Sequence, residues 1–480
     1  MEIKFALSQL LKVNNSLKFF KILPIFLIFL IPISLVTGPA IPDVSISLVS
    51  LFFIYLFLKE RKIEYFNTPI ILIFFIWCFY LILRSLLSEN AYFSLETSLF
   101  YFRFGFFVLA FLYFLKEKKF FLKYFTFFLC ITLFVVSLDG IIQFLFKSNL
   151  IGFKMPELSN YEGRISGFFK DELILGSYLS RLMPLALGLL IFISNKQNKI
   201  NKFFIIFLTF INSAIFISGE RSAFFYCVFS NIIFLIYFSE NRKNIILSII
   251  SSLAVILLLI QFNNSTYKRM IKLTFDQFTN MTQQENYYVA AVNEKNGLVT
   301  NKNFDQNQHE VKRIHIFSSE HEYLYTKALK IFSKNIFFGI GTKNFRIHCS
   351  KYFYNVKEYS FTSKKDNEVN HFKLGCANHP HNIYLQLLSE TGIVGTVPII
   401  IFLFYIFYLF LRILFIKIKK IKNEFDDVKI CMLTSVLIAL WPLIPTGSFF
   451  NNWLSVINFL SLSFFIFFLF KKTNYYKIVH

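Results

Sequence analysis

Charged side chains make up only 16% of this 480-residue chain, against 55% apolar ones, and the mean hydropathy is +0.55. That excludes a soluble domain, in which repeated uncharged runs of about 20 residues do not occur. Acidic residues are the scarcer sign, 28 Asp and Glu against 50 Lys and Arg, for a formal charge of +22. Nothing resembling a nucleic-acid-binding motif accompanies that charge. The apolar run led by Lys18 and Lys21 lacks a small-residue cleavage site and is followed at once by another, so no cleaved signal is expected and Met1 is expected to remain. Metal-ligand spacing is missing too: His379-Pro380-His381 has no third ligand at a usual distance, although His321 could approach it in space. The halves show no repeat and no pair of interrupted spans, which argues against a transporter or flippase.

What is present is a series of apolar runs. The pattern predicts an all-α polytopic membrane protein of about twelve spans, centred on residues 23–36, 44–58, 70–87, 99–115, 124–145, 173–194, 203–217, 223–238, 245–262, 394–416, 430–444 and 453–470. Lys and Arg crowd alternate connections, for example Lys116, Lys118, Lys119 and Lys123, then Lys196, Lys199 and Lys202. Basic residues near span ends resist translocation, so these connections are assigned to the cytoplasm together with both termini. The net charge is then mostly topology. The chain divides into nine spans over residues 1–262, a large outer loop over 263–391 and three spans over 392–480. The 68 Phe residues read as codon bias and carry no functional argument.

Within the outer loop, residues 263–308 are rich in Asn, Gln, Thr and Lys, read as an irregular linker, and are a poor candidate for chemistry. After Ser318, Tyr323, Leu324, Ala328, Leu329 and Phe332 recur at helical spacing, which predicts a surface helix ending near Asn335. A second helix is expected to start at Asn382, a capping residue, and to end at Gly392, with Gly392 and Gly395 allowing a bend and close backbone packing where the chain enters the next span. Four cysteines, Cys78, Cys130, Cys227 and Cys431, fall in spans and read as small hydrophobes. Cys349 and Cys376 both fall in the outer loop, where an oxidising compartment favours a disulfide.

Two kinds of side chain stand out by position. Arg84, Arg103, Arg164, Arg181 and Arg221 fall toward the outer side, against the positive-inside bias, and guanidinium is a planar fork suited to phosphate oxygens. The cluster suggests a pyrophosphate headgroup; salt bridges to Asp139, Asp171, Glu172 or Glu220, or snorkelling to lipid phosphates, are the alternatives. Asp171 and Glu172 precede a span and either complement its dipole or shape a site. His379 and His381 lie where the loop re-enters the membrane, and paired imidazoles there suggest acid/base work on a membrane-bound substrate. His381 could instead merely cap the loop helix. His309, His315 and His348 read as ordinary surface residues.

Together these residues resemble the O-antigen ligase and O-antigen polymerase family of envelope glycosyltransferases. The ligase pattern, a His followed by Asn, Ser or Gln, nine residues and Gly-x-x-Gly, is matched by His381, Asn382, Gly392 and Gly395. Also similar are Ser218-Gly219-Glu220-Arg221-Ser222, Arg164-Ile165-Ser166-Gly167-Phe168, and Phe338-Gly339-Ile340-Gly341 with Asn344-Phe345-Arg346. Many members carry an Arg early in the first loop helix, where this chain has Ser319-Glu320-His321-Glu322. The resemblance implies transfer of a glycan from undecaprenyl pyrophosphate to a sugar hydroxyl, at the periplasmic face of a bacterial inner membrane, without metal, nucleotide or other cofactor. The acceptor would be lipid A core for a ligase, the favoured reading, or another lipid-linked glycan for a polymerase of O-antigen or exopolysaccharide. A chain-length regulator is a further partner consistent with the family. His381 would be the general base, with His379 its orienting partner or replacement. Arg164 and Arg221 would hold the pyrophosphate, with the third basic contact from Arg346 or His321.

The disulfide is directly testable. It would close a loop of about 27 residues, worth roughly 3–4 kcal/mol on the chain-entropy model. Mass spectrometry after alkylation should find two more labelled thiols with reductant than without; equal labelling would contradict the pairing.

Overall fold

The computed structural model describes residues 15–60, 66, 68–117, 119–155, 163–194, 202–262, 264–272, 274–275, 287–290, 317, 319–351, 358–361, 377–419 and 426–470. In chain order these form α1 (Asn15–Ser34), α2 (Ala40–Glu60), α3 (Pro69–Leu86), α4 (Ala91–Ser98), α5 (Arg103–Glu117), α6 (Lys119–Phe146), α7 (Leu175–Ser194), α8 (Lys202–Ile217), α9 (Arg221–Tyr237), α10 (Arg242–Ile260), α11 (Asn264–Tyr267), β1 (Tyr287–Ala290), α12 (Ser319–Lys334), α13 (Phe345–Lys351), β2 (Glu358–Phe361), α14 (Ile383–Ile418), α15 (Asp427–Ala439) and α16 (Asn452–Phe470). A 3₁₀ turn covers Gly167–Phe169 and a π turn Lys268–Lys272.

Among the described residues, eight helical stretches are long and apolar enough to cross a membrane: α2, α3, α4 running into α5, α6, α7, α10, α14 and α16. Three shorter apolar helices accompany them, at Ile22–Ser34, Lys202–Ile217 and Arg221–Tyr237. The chain is thus a multi-pass membrane protein. The expected run at 430–444 differs from the count of about twelve spans for a clear reason. α15 has 13 residues and stops at Ala439, because a residue before proline is biased away from helix and Pro442 follows closely. The apolar sequence continues beyond it as non-helical backbone to Asn451. The body is helical as expected, with one exception: β1 and β2 pair antiparallel, Tyr287 opposite Phe361 and Ala290 opposite Glu358. Cys349 is buried and disulfide-bonded, and Cys78, Cys130, Cys227 and Cys431 are free. Cys376, His309 and His315 lie outside the described residues.

α15 packs along α7, where Gly188 lets the helices approach Cys431 and Met432 closely. The outer segment has a small apolar core of its own, made of Leu324, Ala328, Ile331, Ile340, Phe345 and Cys349. α12 ends where its periodicity predicted, but it buries Leu324, Ala328 and Ile331 while Leu329 is 49% exposed. The inward stripe is therefore rotated from the expected one.

α14 begins at the expected cap, with Asn382 Oδ1 accepting from the main-chain N–H groups of Tyr384 at 3.0 Å and Leu385 at 3.1 Å. Its first helical stretch ends at Gly392 as expected: that residue has non-helical φ 63 and ψ −169, and beyond the kink a second stretch runs to Ile418. Residues 336–341 run beside the kink and bond to it through main chain: Ile340 N to Ser389 O at 3.1 Å, Gly341 N to Glu390 O at 2.8 Å, Ile393 N to Ile336 O at 2.9 Å and Val394 N to Phe337 O at 3.1 Å. A Cβ on Gly392 would overlap the Phe337 carbonyl, and one on Gly339 the Glu390 main chain. This joint requires glycine on both sides. Gly392→Ala should lower stability by the strain of a left-handed non-glycine residue, about 1–3 kcal/mol, plus the cost of the overlap. Gly38→Ala, at φ +113 but in open space, should cost strain alone. Thermal unfolding in detergent checks the order, and an equal or smaller loss for Gly392→Ala would contradict the joint.

Candidate functional site

The His379–His381 turn is held from two sides. The non-helical segment after α15 supplies one: Thr446 N donates to His381 O at 2.8 Å, Asn382 Nδ2 to Pro442 O at 2.8 Å and the Tyr384 hydroxyl to Leu440 O at 2.7 Å. Gln386, 1% exposed, extends the same cradle, donating to Ser448 Oγ at 2.9 Å and accepting from Phe449 N at 2.8 Å. Non-helical main chain needs partners for its polar groups, and side chains and main chain of the His379–Gln386 segment supply several of them here. His381 itself has φ 55, a conformation uncommon for a side-chain-bearing residue and worth a functional explanation.

Three imidazoles meet at this turn. The His379 ring lies 4.2 Å from that of His381, and the His321 ring 5.4 Å from it at 88°. His321 comes from α12, one turn before Tyr325, whose ring is 6.2 Å away. Burial pushes His321 down to about 4, helped by His381 and then Arg221. Burial likewise pushes His379 down to about 3, with His381, Arg346 and His321 adding to it and the Thr446 main chain opposing. Both rings are therefore neutral at neutral pH. His379 Nε2 is buried without a hydrogen-bond partner.

Arginines approach from a knot of three connections. Ile165 N donates to Ser218 O at 3.3 Å, Thr266 Oγ1 to Gly163 O at 3.2 Å and Arg269 Nε to Gly219 O at 3.0 Å. Gly163 at φ +79 and Gly219 at φ +71 allow this, since a Cβ on either would strike neighbouring main chain. The knot gathers Arg164, Arg221 and Arg269. Burial, then the fields of Arg164 and Arg221, lower Arg269 to about 10. The charge of Glu220 acts on Arg164 and Arg269, while its carboxylate accepts from Gly176 N at 2.7 Å and Ser177 Oγ at 2.9 Å, holding the first turn of α7. Arg164 donates to Leu173 O at 2.7 Å, and its Nε is buried without a partner.

Other expected residues go elsewhere. Arg84 donates to the carbonyls of Phe338, Gly339 and Leu87 and so braces the glycine joint. Arg103 pairs with Asp43 and also reaches Asn452. Arg181 lies 5.1 Å over the Tyr226 ring. The five expected arginines are thus not one cluster. Arg346 sits on α13 over the Phe93 ring at 5.2 Å, and its charge acts on His379. Asp171, with a side chain 88% exposed, has Lys170 at 3.8 Å, and with Glu172 it lines a separate cavity. His348 is no isolated surface residue, since its Nε2 lies 3.2 Å from Glu89.

That cavity, about 940 Å³, has an apolar wall including Ile131, Val135, Phe168 and Trp453 and a polar end at Arg181, Lys170 and Glu172. It adjoins the Glu220 side of the knot at Ser177, which lines the cavity while bonding Glu220. Sequence reasoning missed Arg269, Gln386, Glu390 and the 440–451 cradle. Glu390 is fully buried, accepting from Gln386 at 3.2 Å and Phe345 N at 3.4 Å. A carboxylate inside an apolar helix was the available signal for it.

Among known proteins, residues 203–400 match the family model described as O-antigen ligase. The match supports the resemblance to the O-antigen ligase and O-antigen polymerase family. No curated protein matches the chain.

The low titration of His321 and His379 sets a pH dependence. An unfolded histidine takes up its proton near pH 6.5, whereas these two resist until about 4 and about 3. Stability they confer is complete above 6.5 and falls as pH drops through that value toward 4. The unfolding temperature should decline over this window, and His321→Asn/His379→Gln should flatten the decline. An unchanged slope in the double variant would contradict the assignment.

Proposed function

Starting from the family match over residues 203–400, we propose that this chain moves a glycan from undecaprenyl pyrophosphate to an acceptor sugar hydroxyl at the periplasmic face of the inner membrane, with both termini cytoplasmic. The reading favoured is an O-antigen ligase with lipid A core as acceptor, because the His381-Asn382 and Gly392-x-x-Gly395 spacing is of the ligase type. The observation that carries it is the meeting of His381 with neutral His379 and His321 beside the charge of Arg221.

In this mechanism the acceptor oxygen attacks the anomeric carbon as its proton passes to His381. The bond from that carbon to the pyrophosphate oxygen breaks, and the pyrophosphate leaves with the electron pair. Arg164 and Arg221 stabilise the charge that develops there, with a further contribution from Arg346, whose charge acts on His379. Neutral neighbours suit His381 for the role, since they add no cation against which it must gain a proton. Asn382 fixes its position through the helix cap and the Pro442 contact. The lipid part of the donor would occupy the apolar cavity beside residues 168–177. The activated donor supplies the driving force, so the chemistry asks for no nucleotide or metal.

His381→Ala should insert and fold normally yet lose transfer by about 10² to 10⁴; near-normal product would rule out the base. In cells lacking the protein, polymerised glycan should build up on the lipid carrier while the core stays bare. A core bearing a single repeat would instead make the protein a polymerase.

A further inference from the structure

The apolar cavity holds a cation of its own. Arg181 lies between one and two turns into α7, about 9 Å from Leu175 along the helix axis, and lines the cavity at its polar end. The residue is only 6% exposed. Its guanidinium stands 5.1 Å over the Tyr226 ring, and its Nε is buried without a hydrogen-bond partner. An aromatic ring stabilises the face of a guanidinium but leaves the N–H groups along its edge, the part that matches phosphate oxygens. Among the described residues no carboxylate forms an ion pair with Arg181, and the acids that line the same cavity, Asp171 and Glu172, are exposed. A charge held at this depth in a membrane protein marks a substrate or ion path more often than it serves packing.

The cavity walls say what reaches it. Ile33 of α1 and Ile131 and Val135 of α6 line the cavity and are themselves exposed, so apolar side chains of two apolar helices frame an entrance on the lipid side. The inner wall reaches the imidazole turn. Gly447 lines it next to Thr446, whose N–H donates to His381 O at 2.8 Å, and Ser177 lines it while bonding Glu220, the residue before Arg221. A chain lying in the cavity with its tail in the bilayer would therefore carry its head group past Arg181. Building on the function proposed above, the structure assigns Arg181 as the cation that holds the lipid-side phosphate of the donor, with the polyprenyl chain leaving between α1 and α6. Arg164 and Arg221 do not line this cavity, so they take the phosphate bonded to the sugar while Arg181 takes the one esterified to the lipid. Its role is binding, and no bond is made or broken there.

The test uses purified full-length protein in detergent, with geranylgeranyl phosphate and geranylgeraniol as probes that share a chain and differ in the phosphate. The unaltered protein should bind the phosphate more tightly than the alcohol. Arg181→Gln should weaken phosphate binding about tenfold or more, as loss of charge-assisted hydrogen bonds does, and leave the alcohol unchanged. Arg181→Lys, which keeps the charge but not the fork, should lose part of the preference, and this variant carries the test if Arg181→Gln fails to fold. Val135→Trp, which fills the entrance, should weaken both probes alike. A preference for phosphate that survives in both Arg181 variants overturns the inference alone, and so does equal weakening of the two probes, which a purely structural role would give. Dioleoylphosphatidylglycerol should displace geranylgeranyl phosphate poorly; displacement at equal concentration would give the site to bulk lipid and overturn the donor assignment. Binding of neither probe by the unaltered protein would remove the donor's chain from the cavity, and with it that part of the function proposed above.

Discussion

The site depends on a main-chain joint between two glycine-bearing segments. Residues 336–341 bond through main chain to residues 389–394, on both sides of the kink at Gly392. The contact is possible only because Gly339 and Gly392 lack side chains. From it follow the position of α12 with His321, of α13 with Arg346, and of the first turns of α14 beneath His381. Trp77 donating to Gly395 O at 2.7 Å, Tyr80 to Thr391 O at 2.6 Å and Arg84 to Gly339 O at 2.6 Å anchor the joint to α3. An outer segment that would otherwise hang from two helices is thereby registered against the membrane bundle.

On that frame the two halves of the proposed chemistry come from different parts of the chain. The imidazoles arrive from α12 and the turn before α14, and the guanidiniums from connections before α7, before α9 and after α10. Among the described residues, they share the bundle end where the 440–451 segment and the Gly163–Gly219 contact meet the outer segment. Burial keeps His321 and His379 neutral while the nearby arginines stay charged, so the site pairs proton acceptors with cations without repulsion among the imidazoles. That separation suits a reaction in which a proton leaves one side of a sugar and a pyrophosphate the other.

Much of this was legible in the residues. Apolar runs located most spans, the Asn382 cap and the end of α12 were placed correctly, and the His pair was singled out by its position beside the membrane. What escaped did so for physical reasons. Apolar content says nothing of where a helix stops, so the proline-bounded stretch after Ala439 passed as membrane helix although it forms the cradle of the site. Composition made residues 263–308 look irregular, yet residues 264–272 form a short helix and a π turn that bond to Gly163 and Gly219. Arg84 and Arg103 looked like partners of Arg164 because sequence reports depth in the membrane and not position around the bundle. Gly392, by contrast, was read correctly as the end of one helical stretch and a bend into the next.

The measurement that bears most directly on the account is a transfer assay in proteoliposomes, with a polyprenyl-pyrophosphate-linked glycan and lipid A core but no nucleotide and no ion gradient. A new glycosidic bond to the core, with release of polyprenyl pyrophosphate, is the predicted result. Donor that crosses the bilayer or persists chemically unchanged, in the presence of correctly folded protein, would contradict it.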